Sequence, residues 1–391
     1  MDKEEIPIGK MIESIVVYSL VAFILYLMAK SVAIKEVLSK TQASFWSPEV
    51  VASICLFGII AGARFNVGVD YPTYYQTYIR IQSGYPIERD TFEPAFVVIT
   101  DFMAKADFHY FFYFAFWAIL QISFIYYALK DKKYLLPYIA LCVMLNSSYF
   151  LNWMNGIRQC VAMCAFVFLA KFISERKVVK YVVGVFILTF IHKSAILLLP
   201  FYLFTYNKLP LDKKYINLAI LAFFVVLGAT PTWLSIMNNA SGVLSFAGYE
   251  NYSEGIRALT EDNLRQTAWG PNRISDFVID ICIIWFYPQM RTFYKDDKYL
   301  PVCFSLFLIG IYSYNAFVNT SHIFLRPIEY FTIFNLPLIA YLLYFLKQKQ
   351  KKRMFYSVAT LAFTQIFFVV YKSVMLPTEA SEYCLYKFFF Q

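Results

Sequence analysis

The chain has 391 residues, of which 60% are hydrophobic and only 16% are charged. A soluble domain usually carries about 25% charged residues. Phenylalanine, tyrosine and tryptophan make up 20% of the sequence, which is more aromatic side chain than one water-soluble core of this size buries. A chain this apolar does not remain solvated when unfolded. The composition therefore excludes a soluble enzyme and a disordered protein, and it predicts a polytopic membrane protein.

Apolar segments follow one another along the whole sequence. They are too long and too continuous for barrel strands, so the predicted class is an all-α membrane protein. The first segment has no small-residue cleavage site after it and is predicted to be a transmembrane helix rather than a signal peptide. The predicted spans are roughly 11–29, 48–63, 110–128, 134–152, 157–173, 179–206 with a break in the middle, 215–237, 276–290, 299–318, 324–346 and 354–374.

The net charge of +9 is concentrated in short basic runs between these segments, which is the distribution of cytoplasmic loops and not of a nucleic-acid-binding protein. All the runs can lie in the cytoplasm only if 179–206 crosses twice and 91–106 is re-entrant or interfacial. This gives about twelve crossings with both termini outside. The basic runs lie at 30–40, 130–133, 171–180, 208–214, 291–298 and 347–353.

The polar regions follow from this topology. We expect a single integral membrane domain covering 1–391, with outer-face loops at about 64–90 and 238–275, the second of which caps the domain. The seven cysteines include no CxxC pair, and Cys160 and Cys164 have no histidine or carboxylate near them in sequence. No metal site and no cofactor are predicted.

The turn after the second span is the first group of polar residues expected at the outer face. Arg64 ends an apolar helix, and Gly68 and Pro72 favour a tight turn that directs Asp70 toward the bilayer surface. Charged side chains at the edge of a span are costly to bury and are candidates for function. An ion pair between Arg64 and Asp70 that fixes the loop is the alternative interpretation.

Two further groups lie at the outer ends of later spans. Arg158 and Gln159 open a helix where backbone N–H groups favour an anion; an arginine that only reaches the headgroups is the alternative. His192 and Lys193 lie in the break of 179–206, where the histidine could equally be a packed hydrogen-bonding residue.

The last group is on the span that begins near 324. Arg326, Glu329 and Tyr330 share one helical face by their spacing. Guanidinium groups stay charged in an apolar cavity and bind oxyanions through two parallel hydrogen bonds. Arginines at several outer span ends therefore indicate a phosphate or pyrophosphate ligand held without a divalent metal.

These motifs resemble the EpsG-type membrane proteins, which are similar to the Wzy-type polymerases of O-antigen, capsule and exopolysaccharide. The resemblance runs from about residue 50 to 380. Val69 stands where the family commonly has threonine. The residues that resemble the family are the segment from Arg64 to Tyr74, Phe92-Glu93-Pro94, the segment from Asn155 to Gln159, the segment from Ile191 to Ala195, and Arg326 with Tyr330.

The resemblance implies a GT-C-like fold and a membrane glycosyltransferase of the bacterial inner membrane, with its active site on the periplasmic or outer face. Donor and acceptor would be oligosaccharides linked to undecaprenyl pyrophosphate, embedded in membrane lipid, and a chain-length regulator protein would be a further partner. The growing glycan would move from its lipid pyrophosphate to a new repeat unit, with inversion at the anomeric carbon.

In this mechanism we expect His192 to be the base that deprotonates the attacking hydroxyl, with Asp70 and Glu93 as competitors. Arg158 and Arg326, then Arg64, are assigned to the pyrophosphate. A glycan ligase, an acyltransferase and a lipid-linked oligosaccharide transporter remain alternatives. The other expected substrate-binding residues are Tyr71, Tyr74, Gln159, Lys193 and Tyr330, and Trp269, Tyr249 and Tyr252 of the outer loop would stack on sugars or belong to an interfacial belt.

Overall fold

The computed structural model describes residues 8–38, 45–86, 92–204, 212–233, 236, 269–320, 322–376 and 382–390. These residues are mostly α-helical, and one isolated antiparallel bridge joins Arg64 and Phe388. Contacts divide the chain into two compact units. Unit 1 is Met1–Tyr202 with Ile339–Gln391, and unit 2 is Leu203–Leu338.

Apolar sequence and helix capping set the helix boundaries. The helix Pro48–Ala63, for example, begins after Ser47, whose side chain accepts a hydrogen bond from Val50 N, and has proline in its first turn. The α-helices of the described residues, in chain order, are α1 Ile8–Leu38, α2 Pro48–Ala63, α3 Tyr71–Gln82, α4 Pro94–Lys105, α5 Tyr110–Ala128, α6 Leu136–Leu145, α7 Phe150–Asn155, α8 Ile157–Ser174, α9 Val178–Thr189, α10 Phe201–Phe204, α11 Lys214–Gly228, α12 Pro271–Phe293, α13 Tyr299–Phe317, α14 His322–Thr332, α15 Asn335–Gln348, α16 Lys352–Phe363 and α17 Gln365–Met375.

Unit 1 is built on close helix pairs. Helix α5 packs on α2 and α8, and α1 packs on α2 and α6. The α2–α5 pair depends on a missing side chain, because a Cβ at Gly62 would lie 2.5 Å from the carbonyl oxygen of Phe111. The two helices can approach this closely only with glycine there.

Helices α2, α5 and α8 connect two chemically different ends of unit 1. At one end the helix termini carry surface ion pairs, among them Lys35 with Glu49 and Lys171 with Asp131. At the other end α2 runs into the turn that begins at Arg64. Helix α5 has 19 residues and is about 28 Å long, which is close to the hydrocarbon thickness of a bilayer.

Unit 2 has its own helix contacts. Helix α11 packs on α12 and α13, and α13 packs on α14. Within this unit Asn335 Nδ2 donates a 2.9 Å hydrogen bond to Oδ1 of Asp280, a buried carboxyl on α12. Trp233 Nε1 donates to the carbonyl of Ala316 at 2.8 Å.

The helices confirm a multi-pass membrane protein. Within the described ranges, six helical segments are long and apolar enough to cross a membrane, and five shorter apolar segments of 10–17 residues accompany them. The long ones are Ile8–Glu36, Tyr110–Ala128, Ile157–Ser174, Tyr299–Phe317, Phe324–Gln348 and Lys352–Met375.

Four spans predicted as continuous are interrupted within the described residues, two of them by turns at 229–230 and 333–334. The segment predicted at 134–152 ends as a helix at Leu145, and α7 begins at Phe150. The cause is Asn146, whose side-chain oxygen accepts a hydrogen bond from Ser148 N at 2.9 Å and so replaces a helical bond. The segment predicted at 354–374 breaks at Thr364, between α16 and α17.

The predicted breaks and loops can be compared with the structure. The break predicted near Ile191–Ser194 is present, between α9 and the 3-10 turn Lys193–Leu198. The loop predicted at 64–90 contains α3. Helix α4 has 12 residues, about 18 Å, which is shorter than the hydrocarbon core. The loop predicted at 238–275, with Tyr249 and Tyr252, lies outside the described residues except for its last part.

Candidate functional site

The turn between α2 and α3 is compact and left-handed at two positions. Asn66 has φ 55° and Gly68 has φ 102°. A Cβ at Gly68 would lie 3.2 Å from the carbonyl oxygen of Met154. Glycine is required both by the backbone angle and by this close approach of α7. The turn therefore fits against the segment that precedes α8.

Arg64 holds this turn from inside. Its side chain is fully buried, and its Nε donates to the carbonyl of Ala61 at 3.0 Å while Nη1 donates to the carbonyl of Val67. The guanidinium also lies over two rings, 5.0 Å from the centroid of Tyr71 and 4.8 Å from that of Phe114. Burial lowers the pKa of Arg64 to about 10, so the group stays charged at neutral pH.

A C-terminal segment, 383–389, closes the turn from outside. Phe65 N donates to the carbonyl of Lys387 at 2.7 Å, and Gly68 N donates to the carbonyl of Tyr383 at 3.0 Å. Tyr386 anchors the segment, because its hydroxyl donates to the carbonyl of Ile60 at 2.6 Å. Arg64 is thus enclosed between its own turn, the rings of Tyr71 and Phe114, and the C-terminal segment.

Asn155 joins the turn to the start of α8. Its side-chain oxygen accepts a 2.7 Å hydrogen bond from the backbone N of Asp70. Asp70 is half-buried at the start of α3. Burial raises the pKa of the Tyr74 hydroxyl, and the negative charge of the Asp70 carboxylate adds to this rise. The structure therefore brings together two motifs that are 85 residues apart.

Glu93 is the centre of the site. It directly precedes α4, and its Oε1 accepts hydrogen bonds from His192 Nδ1 at 2.9 Å and from the backbone N of Lys193 at 3.2 Å. Its other oxygen pairs with Nη1 of Arg158. The side chain of Glu93 is 6% exposed, whereas those of Arg158 and His192 are 19% and 20% exposed. A substrate can therefore reach the arginine and the histidine more readily than the carboxylate.

The carboxyl of Glu93 is ionised across the physiological range. Burial by itself would raise the pKa of Glu93, but the hydrogen bond from His192, the charge of Arg158 and the N–H of Lys193 outweigh it and lower the pKa from 4.5 to about 2. An ionised carboxylate only accepts hydrogen bonds. His192 Nδ1 must therefore carry the proton of their shared hydrogen bond.

Aromatic side chains fix the position of Arg158. Its guanidinium lies 4.8 Å from the ring centroid of Phe92 and 5.1 Å from that of Phe96, and it donates a hydrogen bond to the hydroxyl of Tyr74. Its Nε is buried and has no hydrogen-bond partner within the described residues. A planar cation held by rings keeps its charge and some unused donors for an oxyanion.

Taken together, the cluster of Glu93, Arg158 and His192 provides a fixed cation beside an imidazole. With Nδ1 protonated, a neutral imidazole has its lone pair on Nε2. The arrangement can therefore accept a proton from a hydroxyl at one point and stabilise an anionic leaving group at another. A carboxylate that orients a histidine in this way is a recurrent device in acid–base catalysis.

The other predicted site residues are dispersed. In unit 1, Tyr71 and Gln159 are buried and Lys193 is exposed. In unit 2, Arg326 is exposed and interacts electrostatically with Glu329, while Tyr330 is buried. Arg326 and Tyr330 belong to a different compact unit from Arg158, so their part in a common site stays a prediction. No group of three or more His, Cys, Asp or Glu within the described ranges could hold a metal ion.

Sequence reasoning missed two contributors, Phe96 and Asn155. Phe96 follows Glu93 by almost one helical turn, and Asn155 is the last residue of α7. The motif strings included Asn155 but gave it no role. A ring one turn after a carboxylate that precedes a helix could have indicated a cation site, but local spacing gives no information about the partner on α8.

Comparison with known proteins identifies the family of the chain. No curated protein and no solved structure matches the chain. The sequence model of the EpsG family matches residues 50–388, a range that contains the Arg64 turn, Glu93, Arg158, His192 and all of the C-terminal segment except Phe389. The known proteins of this family are polymerases of the Wzy type. The chain therefore belongs to the EpsG family of polysaccharide polymerase-type membrane proteins.

Proposed function

We propose that the chain polymerises lipid-linked oligosaccharide repeat units by inverting glycosyl transfer. A hydroxyl of the acceptor sugar attacks the anomeric carbon of the donor glycan. The new glycosidic bond forms as the bond to undecaprenyl pyrophosphate breaks, and the hydroxyl proton moves to the enzyme. The observation that supports this reaction is the carboxylate of Glu93, which holds a base and a cation at the same time.

His192 is the proposed base. The ionised Glu93 keeps Nδ1 protonated, and so the Nε2 lone pair is available to the attacking hydroxyl. Glu93 is a poor competitor for this role, because its pKa of about 2 makes it a weak base at neutral pH. Asp70, half-buried and close to Tyr74, remains the competing candidate.

Arg158 is the proposed ligand of the departing pyrophosphate. Pyrophosphate leaves as an anion, so it needs charge stabilisation more than protonation. The backbone N–H groups in the first turn of α8 add partial positive charge next to Arg158. We propose Arg326 as a second ligand, and this step needs no metal ion.

The proposal also includes the fold, the membrane and the orientation of the protein. We propose a GT-C-like arrangement of about twelve crossings in the bacterial inner membrane, with the Glu93 cluster at the outer surface. The ion-paired lysines at the opposite end of unit 1 support this orientation, because basic residues concentrate on the cytoplasmic side. A chain-length regulator protein is a proposed partner.

A single reconstitution experiment tests the reaction. The purified protein, in proteoliposomes, receives one lipid-linked repeat unit from its own cell and no other substrate. We expect a ladder of products on a gel. Transfer of the glycan to a different lipid acceptor would instead identify a ligase, and translocation without any new bond would identify a transporter.

Replacement of His192 tests the base. Because general base catalysis contributes about 10²–10⁴-fold, His192→Asn should slow the transfer by at least about 100-fold. The rate is measured at saturating substrate, where loss of a base slows the transfer even though the substrate is bound. A variant that keeps the wild-type rate would show that another residue, Asp70 first, accepts the proton.

A further inference from the structure

A group of partly exposed rings lies next to the Arg64 turn, and four separate segments contribute to it. Phe65 comes from the turn, Tyr75 from α3, His109 and Tyr110 from the start of α5, and Phe389 from the C-terminal segment. We call these five side chains the aromatic surface. Ring centroids are 5.8 Å apart for Phe65 and Tyr75, 4.9 Å for Tyr75 and Tyr110, and 5.3 Å for His109 and Phe389.

The rings are held by the backbone behind them. Phe389 N donates to the carbonyl of Ala63 at 2.9 Å, and Phe65 N donates to the carbonyl of Lys387. His109 caps α5, because its Nδ1 accepts a 3.2 Å hydrogen bond from Phe111 N. Side chains that are already ordered lose little entropy when they bind a ligand.

The chemistry of the surface differs from that of a lipid-facing helix. His109 is exposed, Phe389 is 37% exposed, and Tyr75 and Tyr110 are half-buried. Neither tyrosine hydroxyl has a hydrogen-bond partner in the described part of the chain. The exposed ammonium of Lys387 lies 5.5 Å from the ring centroid of Phe65. Flat apolar faces with polar groups at their edges match a sugar ring, which has C–H groups on its faces and hydroxyls at its rim.

The aromatic surface is continuous with the candidate site. The ring of Tyr71 stacks on that of Tyr75 with centroids 5.9 Å apart and an angle of 13°. Tyr71 lies in the first turn of α3 together with Tyr74, which hydrogen-bonds to Arg158. The core around Tyr71, Tyr74 and Phe96 also packs against Tyr75 and Tyr110. An extended ligand anchored at Arg158 could therefore continue over these rings.

We infer that the aromatic surface binds the glycan of the lipid-linked substrate, several sugars away from the reacting end. This inference rests on the proposed function, since it assigns a second part of the same substrate. The surface prefers a long glycan to a single repeat unit, because only a long glycan reaches the rings while its end is at Arg158. It thereby favours extension of chains that have already grown.

The test compares two donors in the reconstituted enzyme, a single lipid-linked repeat unit and a longer lipid-linked glycan, with the same repeat unit as acceptor. Loss of a stacking ring should reduce the preference for the long donor, measured as the ratio of the two kcat/KM values, by about fivefold in Tyr75→Ala, Tyr110→Ala and Phe389→Ala. Tyr75→Phe keeps the ring and loses only the hydroxyl, so it should lose less of the preference than Tyr75→Ala. The matched controls Phe102→Ala and Tyr356→Ala remove exposed rings elsewhere and should keep the preference.

An unchanged preference in all three alanine variants would overturn the inference. A measurement of glycan binding tests the inference independently of the proposed function. A soluble oligosaccharide of a few repeat units, released from the cell's polysaccharide by mild acid, is titrated into the purified protein by saturation-transfer NMR. Wild-type protein should bind it, with affinity about fivefold weaker in Tyr75→Ala. If wild type binds the oligosaccharide but makes no ladder, the proposed reaction fails and the glycan site stands; if wild type does not bind it, the glycan site fails.

Discussion

Arg64 and Arg158 lie at the same end of unit 1, and the structure uses them in opposite ways. Arg64 is fully buried and donates to two backbone carbonyls of its own turn. Arg158 is partly exposed and shares a carboxylate with a histidine. Both cations lie over two aromatic rings. Stacking on rings therefore does not distinguish the two arginines. They differ in the groups that accept their hydrogen bonds and in the exposure of their side chains.

The largest expected effect comes from Arg158. Because removal of one donor to a developing oxyanion costs about 10²–10³-fold in rate, Arg158→Ala should abolish long polysaccharide while single repeat units still form. Arg158→Lys keeps the charge but loses the planar fork, so it should restore only part of the activity. Gel analysis of chain length measures both.

Arg80→Ala is the matched control, since Arg80 is an exposed arginine on α3 of the same unit. It should leave chain length unchanged. Normal chain length in Arg158→Ala, with the protein present in the membrane at the wild-type level, would refute the pyrophosphate assignment. The same measurement on Arg326→Ala decides whether the arginine of unit 2 belongs to the reaction.

The carboxylate of Glu93, the partner of Arg158, should make the stability of the protein depend on pH. Its pKa is lowered on folding from 4.5 to about 2. The carboxylate therefore stabilises the fold by on the order of 3 kcal/mol at every pH above 4.5, and this contribution is lost as the pH falls toward 2. Glu93→Gln removes it. Thermal unfolding in detergent should show a gap between wild type and variant at pH 7 that narrows at pH 3; an equal gap at both would refute the lowered pKa.

Arg64 should behave as a stabilising residue. Its removal leaves the carbonyls of Ala61 and Val67 without their charged donor, and hydrogen bonds to charged groups contribute about 2 kcal/mol. Arg64→Ala should therefore lower the unfolding midpoint and the yield of folded protein, whereas the rate per folded molecule falls far less than in Arg158→Ala. If the rates fall equally, Arg64 contacts the substrate, as the motif alone predicted.

The smallest effect is expected at the turn itself. Gly68→Ala combines a positive φ with a Cβ near Met154, whereas Gly84→Ala has φ 89° and open space. A positive φ costs a non-glycine residue about 1–2 kcal/mol. Both variants should lose stability, and Gly68→Ala should lose more. Equal losses would show that the contact with α7 is of no consequence.

Part of this architecture could be predicted from sequence. Composition gives the membrane class, and apolar length gives α5 and α8 because their limits coincide with clear changes in hydropathy. The breaks at Asn146 and Thr364 were missed, because one polar residue hardly changes the mean hydropathy of a span. Side-chain competition for backbone hydrogen bonds decides such breaks locally.

The candidate site shows the same limit. Charge at span ends and the family motifs indicated Arg158, His192 and Glu93 as separate candidates. Their shared contact was not predictable, since Glu93 is 65 residues from Arg158 and 99 from His192. Arg64 and Arg158 occur in similar contexts, each at a helix terminus, so only their packing partners reveal which one is structural.

The C-terminal segment has a consequence for the timing of assembly. Tyr386 bonds to Ile60, a residue made 326 positions earlier, and Tyr383 and Lys387 bond to the Arg64 turn. During synthesis the turn is therefore left open until the last helices have been inserted. An unfinished chain has no completed turn beside its arginine and histidine. Arg64 is thus enclosed only after the segments that carry Glu93, Arg158 and His192 have been made.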